Sequence, residues 1–224
     1  MTQFIAFLAG YLMGSISGAR IVGARYAAGE DLSRTRVILD GTGASVDNHG
    51  VSASSLQARS GARAGLRAGA IDIGKALIPT LAALWIWPDG PEYILAGAGA
   101  LLGHVFPVYH RFLGGFGISP LIGALIVIDF RAVLVSILIF GLLGLIFGNA
   151  YLGIEVWPVG LIPWFIATED YWALGFAVLA NVLYWSRSRH EVVGAWKAWR
   201  RDDRPWSLRV RDFKTYPTYE EPSG

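Results

Sequence analysis

Apolar positions along this chain gather into seven blocks, at residues 3–22, 69–87, 93–108, 117–128, 133–147, 152–167 and 171–185. A bilayer core about 30 Å thick is crossed by about 20 mostly apolar helical residues, and fewer suffice where a segment is tilted, re-entrant or flanked by protein. Several blocks are short for a lipid-exposed span, so one or two are expected to be tilted, kinked at glycine or half-buried. Between the first two blocks, residues 27–67 are polar, basic and rich in glycine and serine. That is far longer than the usual connection of about 2–8 residues, and a loop of this length is either disordered or the functional part.

The lysines and arginines orient the blocks, because loops on the cytoplasmic side retain them. Seven, from Arg20 to Arg67, fall between the first two blocks, Arg111 falls between the third and fourth, and nine follow the last. Arg131 alone lies on the opposite face, where Asp89, Glu92, Asp129, Glu169 and Asp170 gather, and Lys75 sits inside the second block. An odd number of spans with a basic end places the N-terminus outside and the C-terminus in the cytoplasm. The start could be taken for a signal peptide, but no Lys or Arg precedes Arg20, so it reads as a retained first helix.

After residue 191, Trp196, Trp199 and Trp206 alternate with Lys197, Arg200, Arg201 and Arg204. Indole rings and cations at that spacing suit the lipid headgroup layer. The expected organisation is an all-α, polytopic membrane bundle over residues 1–190 with a cytoplasmic loop at 27–67. An interfacial, tryptophan-rich tail then covers 191–224, and its last ten residues read as a disordered end.

Composition sharpens this picture. The chain has 224 residues, 54% of them apolar and only 16% charged, against about 25% charged in soluble domains. With no cysteine, there is no disulfide, thiolate nucleophile or zinc–thiolate site. Four scattered histidines show no metal-ligand spacing, so neither metal nor cofactor is expected. A net charge of +2, with the basic residues at membrane edges, points to membrane lipid and not to nucleic acid.

Three motifs carry chemistry. Asp72 and Lys75, three apart on a helix, share a face at the start of an apolar block, where ionisable groups are expensive unless paired or functional. They read as an internal ion pair locking the helix, or as a field acting on an anionic substrate from behind the groups that touch it. Next, His104 in Gly103-His-Val-Phe-Pro-Val precedes Gly114-Gly115-Phe-Gly117, three glycines opening a helix, whose backbone N–H groups could face an anion. Glycines also serve close packing in membrane helices, and a lone intramembrane histidine is more often an interhelical hydrogen-bond partner than a catalyst. Third, the loop combines Asp40-Gly41-Thr42-Gly43 with a serine-rich run and Arg59 and Arg63, the hydroxyls, glycines and cations a phosphate cradle needs. A solvated basic loop held near anionic lipid is the plainer alternative.

Taken in order, these motifs, with Gly10-Tyr-Leu-Met-Gly-Ser15 in the first block, resemble the bacterial acyl-phosphate:glycerol-3-phosphate acyltransferase family (PlsY) over most of residues 8–200. The resemblance implies seven spans in the bacterial cytoplasmic membrane and transfer of an acyl group from acyl phosphate to glycerol 3-phosphate, without a metal or other cofactor. It implies catalytic roles for Thr42 and Arg59, and substrate binding by Gly41, Gly43, Arg63, Gly114, Gly115, Gly117 and Asn181. Asp72, Lys75 and His104 would support them from behind.

The sequence also departs from the family pattern. The first-loop motif has two placements, one on Gly41-Thr42-Gly43 and one with Asn48 at the serine position and the arginine falling on Ala58, beside Arg59. Two lysines of the glycine cluster are Leu113 and Phe116, and the third-motif serines have become Tyr151-Leu-Gly-Ile154. A histidine expected five after Asn181 is Ser186, although Arg187 keeps the arginine that follows. Two functions therefore stand open: an active acyltransferase, or a catalytically degenerate relative serving as a structural or lipid-binding subunit of a larger membrane complex.

Overall fold

The structure, a computed structural model, describes residues 1–33, 35–39, 44–48, 50–149, 153, 155–212 and 219–220. It is a helical bundle built from α1 (Thr2–Gly14), α2 (Gly18–Tyr26), α3 (Ala53–Ser60), α4 (Ala62–Ile86), α5 (Glu92–Val105), α6 (Ile118–Ile128), α7 (Phe130–Phe147), α8 (Leu161–Ala167), α9 (Tyr171–Arg201) and α10 (Trp206–Asp212). Among the described residues the apolar blocks coincide with helix, the sixth only in part, through a 3-10 turn at Trp157–Gly160 and α8. Among the described residues three segments are long and apolar enough to cross a membrane by length and composition: Thr2–Tyr26, Ala62–Ile86 and Phe130–Phe147. Ile118–Ile128 and Trp157–Ala167 are apolar but shorter.

Three features depart from the expected plan. The first block breaks after Gly14 and restarts at Gly18, where the Ser17 hydroxyl caps α2 by accepting from the Arg20 N–H at 3.3 Å. A small antiparallel sheet is added to the bundle, whose all-α build is otherwise as expected. Strand β1 (Thr35–Leu39) pairs with β2 (Ala44–Asn48) from Thr35 opposite Asn48 to Leu39 opposite Ala44, and with β3 (Tyr219–Glu220) on its other edge. Finally, α9 continues unbroken past residue 190 to Arg201. Residues 213–218 and 221–224, in the expected disordered end, lie outside the described residues.

Close backbone contact holds α1 against α5. A Cβ added to Gly10 or Gly14 would lie 2.0 or 2.1 Å from the carbonyls of Ala96 and Ala100, and one added to Gly99 or Gly103 would lie 2.1 or 2.2 Å from those of Phe7 and Tyr11. Each pair is spaced four apart on one helix face, so glycines on both helices let the two backbones touch. The main core lies between α5, α6, α8 and α9, around Leu101, Leu121, Leu125, Leu161, Phe165 and Phe176. A second apolar cluster, including Ala19, Val22, Leu32, Val51, Leu56 and Ala64, fastens the first loop to α2 and α4. The outer face of α7 leaves Leu134, Leu138, Leu142 and Ile146 exposed, as a lipid-facing helix requires.

Candidate active site

The break between α1 and α2 is tied to a buried ionic knot. Lys75 Nζ lies 2.8 Å from Asp72 Oδ1 and 2.8 Å from His104 Nδ1, and it donates a further bond to the Ile16 carbonyl inside the break. An ammonium has three donors, so none remains for a substrate. Asp72 Oδ1 also accepts from the Gly18 N–H at 3.1 Å, which fixes the start of α2. His104 Nδ1 also faces Asp72 Oδ1 at 3.7 Å, so the imidazole closes the knot. The pairing meets the requirement that buried charge be compensated.

His104 in turn seats the glycine cluster. Its carbonyl accepts from the Gly115 N–H at 3.2 Å. A Cβ on Gly114 would lie 2.0 Å from that carbonyl, and one on Gly115 would lie 2.4 Å from His104 Nε2. The Gly114 carbonyl accepts from the Val51 N–H at 3.1 Å, joining the cluster to the first loop just before α3. There Ser52 caps α3 in a reciprocal box, its hydroxyl accepting from the Ser55 N–H at 3.2 Å while Ser55 Oγ accepts from the Ser52 N–H at 2.8 Å. Gly117, at φ 99°, turns the chain into α6 in the left-handed region that glycine adopts without strain. Among the described residues no acceptor takes the N–H groups of Phe116, Gly117 or Ile118.

Two arginines from distant helices flank this cluster. Arg20 of α2 donates from Nη2 to the Leu113 carbonyl at 2.9 Å. Arg187 of α9 donates from Nη2 to the carbonyls of Val105 at 3.1 Å and Phe112 at 3.4 Å, and its guanidinium lies 5.2 Å from the centre of the Phe106 ring. Arg111 and Phe112, between these anchors, are left-handed at φ 53° and 62°. Burial, then the charges of Arg20 and Lys75, push the nearby His110 imidazole below its ordinary value and favour its neutral form at pH 7.

A family model described as glycerol-3-phosphate acyltransferase matches residues 4–196. The chain belongs to the glycerol-3-phosphate acyltransferase family. Glycerol-3-phosphate acyltransferase 4 of Dehalococcoides mccartyi (strain CBDB1) is 30% identical over 182 residues, covering 78% of this chain and 73% of its own. The protein of that family name from Methylorubrum extorquens (strain PA1) is 36% identical over 132 residues, covering 56% of this chain. The match spans 63% of the length of the Methylorubrum protein and 35% of its counterpart in Pseudomonas entomophila (strain L48), less than two thirds in both. The crystal structure of PlsY (YgiH), an integral membrane glycerol 3-phosphate acyltransferase, in its glycerol 3-phosphate form shares the fold. Its TM-score is 0.72 at 22% identity, covering 94% of this chain and 99% of that one.

The site residues expected from sequence fall into three groups. Asp72, Lys75, His104, Gly114, Gly115 and Gly117 meet around the knot and the cluster it seats. Arg59 pairs with Glu30 at 3.1 Å, Arg63 is exposed on the first turn of α4, and Asn181 lies against another part of the bundle. The Asn181 amide donates to the carbonyls of Pro158 and Ala177, both at 2.9 Å, and leaves its buried Oδ1 without a partner. Gly41, Thr42 and Gly43 lie outside the described residues.

Sequence reasoning passed over Arg20, Ser52 and Ser55. Arg20 was hidden among topology-setting charges. The capping pair has a signal, a serine three residues ahead of another at a helix start, but that run was read for phosphate chemistry and not for a cap. Of the two residues replacing lysine, Leu113 is exposed, whereas the Phe116 ring packs so closely on Gly50 that a Cβ there would lie 2.7 Å from it.

Proposed function

We propose that this protein is an acyltransferase of the bacterial cytoplasmic membrane, with seven spans, its N-terminus outside and its site on the cytoplasmic face. The donor is an acyl phosphate and the acceptor glycerol 3-phosphate. The 1-hydroxyl oxygen attacks the acyl carbonyl carbon, the carbon–oxygen bond to phosphate breaks, and lysophosphatidic acid and inorganic phosphate leave. A phosphate oxygen of the substrates takes the hydroxyl proton, so a dedicated histidine base is not required. Acceleration comes from holding two anions together in a fixed orientation and stabilising the charge that develops on the carbonyl oxygen.

The observation that carries this reading is the junction of Val51 with Gly114, which brings the first loop onto the glycine cluster beside two arginines. The open N–H groups of Phe116, Gly117 and Ile118, at the start of α6, suit a phosphate. In this reading Thr42, Arg59 and Arg63 belong to the phosphate side, with Gly41 and Gly43 giving the backbone room.

One observation favours the second reading, a non-catalytic relative that serves in a membrane complex. The Phe116 ring covers Gly50 where the resembled family would place a lysine. The test is lysophosphatidic acid formation from acyl phosphate by purified protein in lipid or detergent. Slow turnover is expected, raised about tenfold or more by Leu113→Lys, because that exposed position accepts a lysine without repacking and a charge-assisted bond is worth at least that factor. The double change with Phe116→Lys is expected to add less, since it also removes the packing on Gly50. No turnover by any form would overturn the enzymatic reading in favour of the second.

A further inference from the structure

The glycine cluster has no cation of its own, since Leu113 and Phe116 flank its first two glycines. We infer that Arg20 supplies it: the Arg20 guanidinium, aimed at the Leu113 turn from the start of α2, is the phosphate-binding group of this site. The inference rests on the phosphate-handling part of the proposed function and assigns it to a residue 93 positions away from Leu113 in sequence.

Three observations converge on Arg20. Its Nη2 is spent on the Leu113 carbonyl, but its Nη1 is buried with no hydrogen-bond partner. A charged donor left without an acceptor is costly unless a ligand completes it. Among the described residues, no carboxylate lies within ion-pair distance of Arg20, and Asp31 acts on it only through its field. Finally, Arg187 stands on the other flank of the same turn in the same condition, with Nη2 on backbone carbonyls and a buried Nε that has no partner. Elsewhere among the described residues Arg59, Arg131 and Arg204 each meet a carboxylate. Two guanidiniums are held by the carbonyls of adjacent residues, Phe112 and Leu113, each with a donor to spare, the unclaimed N–H groups opening α6 follow a few residues on, and in this inference they make one donor set. A dianionic phosphate monoester has the acceptors to fill it, and a guanidinium presents its donors in the fork that phosphate matches.

A purely structural role would make Arg20 only a clasp on the Leu113 carbonyl, and the test separates the two. Binding of glycerol 3-phosphate and of inorganic phosphate to the full-length protein in detergent is measured by calorimetry, with helix content and thermal midpoint recorded for every variant. Arg20→Gln, which keeps a donor for the carbonyl and loses the charge, is expected to weaken both ligands about ten- to hundredfold. Adding Leu113→Lys to that variant is expected to recover most of the affinity, because a cation returns to the cluster without restoring the clasp. Affinity within twofold of the unmodified protein in Arg20→Gln overturns the inference, as does a loss that Leu113→Lys leaves unrepaired. If Arg20→Gln does not fold, Arg20→Lys decides: a several-fold loss of affinity is expected, and none overturns the assignment. Phosphate binding that depends on Arg20 in a protein without acyl transfer would uphold this inference and count only against the proposed reaction.

Discussion

Lys75 is a cation inside an apolar helix that has no free donor left. Its three hydrogens go to Asp72, His104 and the Ile16 carbonyl, so its charge organises the break between α1 and α2 and does not reach a substrate directly. The internal pair read from sequence is present, enlarged by His104 and a backbone carbonyl. Removing one partner of a buried pair leaves the other charge uncompensated, at a cost of about 3–5 kcal/mol. Asp72→Asn is therefore expected to lower the thermal midpoint in detergent by on the order of ten degrees. It should also loosen the start of α2, because the Gly18 N–H loses its anionic acceptor. A midpoint equal to that of the unmodified protein would show that the knot contributes nothing to stability.

At the scale of elements, glycine has two separate uses. In α1 and α5 it allows backbone contact, and any side chain there collides with a carbonyl that belongs to a helix and cannot move aside. Gly14→Leu is expected to destabilise the bundle by about 1–3 kcal/mol or more, the range for overpacked interiors. Gly175→Leu on α9 provides the control, because that position is exposed and nothing lies within 4 Å of an added Cβ there. Thermal unfolding of the two variants side by side should separate them clearly, and equal midpoints would refute the close-contact account. In the cluster at Gly114, Gly115 and Gly117 the use differs, since these glycines let a loop lie on His104 and then turn sharply into α6. Sequence alone leaves the two uses open, because both produce glycines a few residues apart.

For the whole molecule, the proposed orientation rests on the uneven distribution of lysine and arginine. With no native cysteine, single cysteines report sidedness without background. An impermeant thiol reagent applied to intact cells is expected to label cysteines placed at Asp89 or Glu169 and to spare those at Ser54 or Ser207, all four positions being exposed. Ser55, in the same loop, is fully buried beside the α3 cap and would be silent on either side. Labelling in the reverse pattern would invert the proposed orientation and move the site to the outer face.

The helical bundle was legible in the amino-acid sequence because a bilayer imposes a one-dimensional rule: a crossing segment must be long and apolar and satisfy its own backbone hydrogen bonds. The pairing of Asp72 with Lys75 was legible for a similar reason, since residues three apart on a helix share a face. Even the β1–β2 ribbon left a trace, because Asp40-Gly41 following Thr35–Leu39 is a hairpin signal that the phosphate reading of the same residues obscured. Tertiary structure alone decided which cations stand beside the glycine cluster. Arg20 reaches Leu113 across 93 residues and Arg187 reaches Phe112 across 75. Helical period fixes the direction of a side chain around its own axis, and charge counts fix the side of the membrane. Neither determines which helix packs beside which loop, and that follows only when backbones close together at Gly10, Gly14, Gly99 and Gly103 and carry α2 into place.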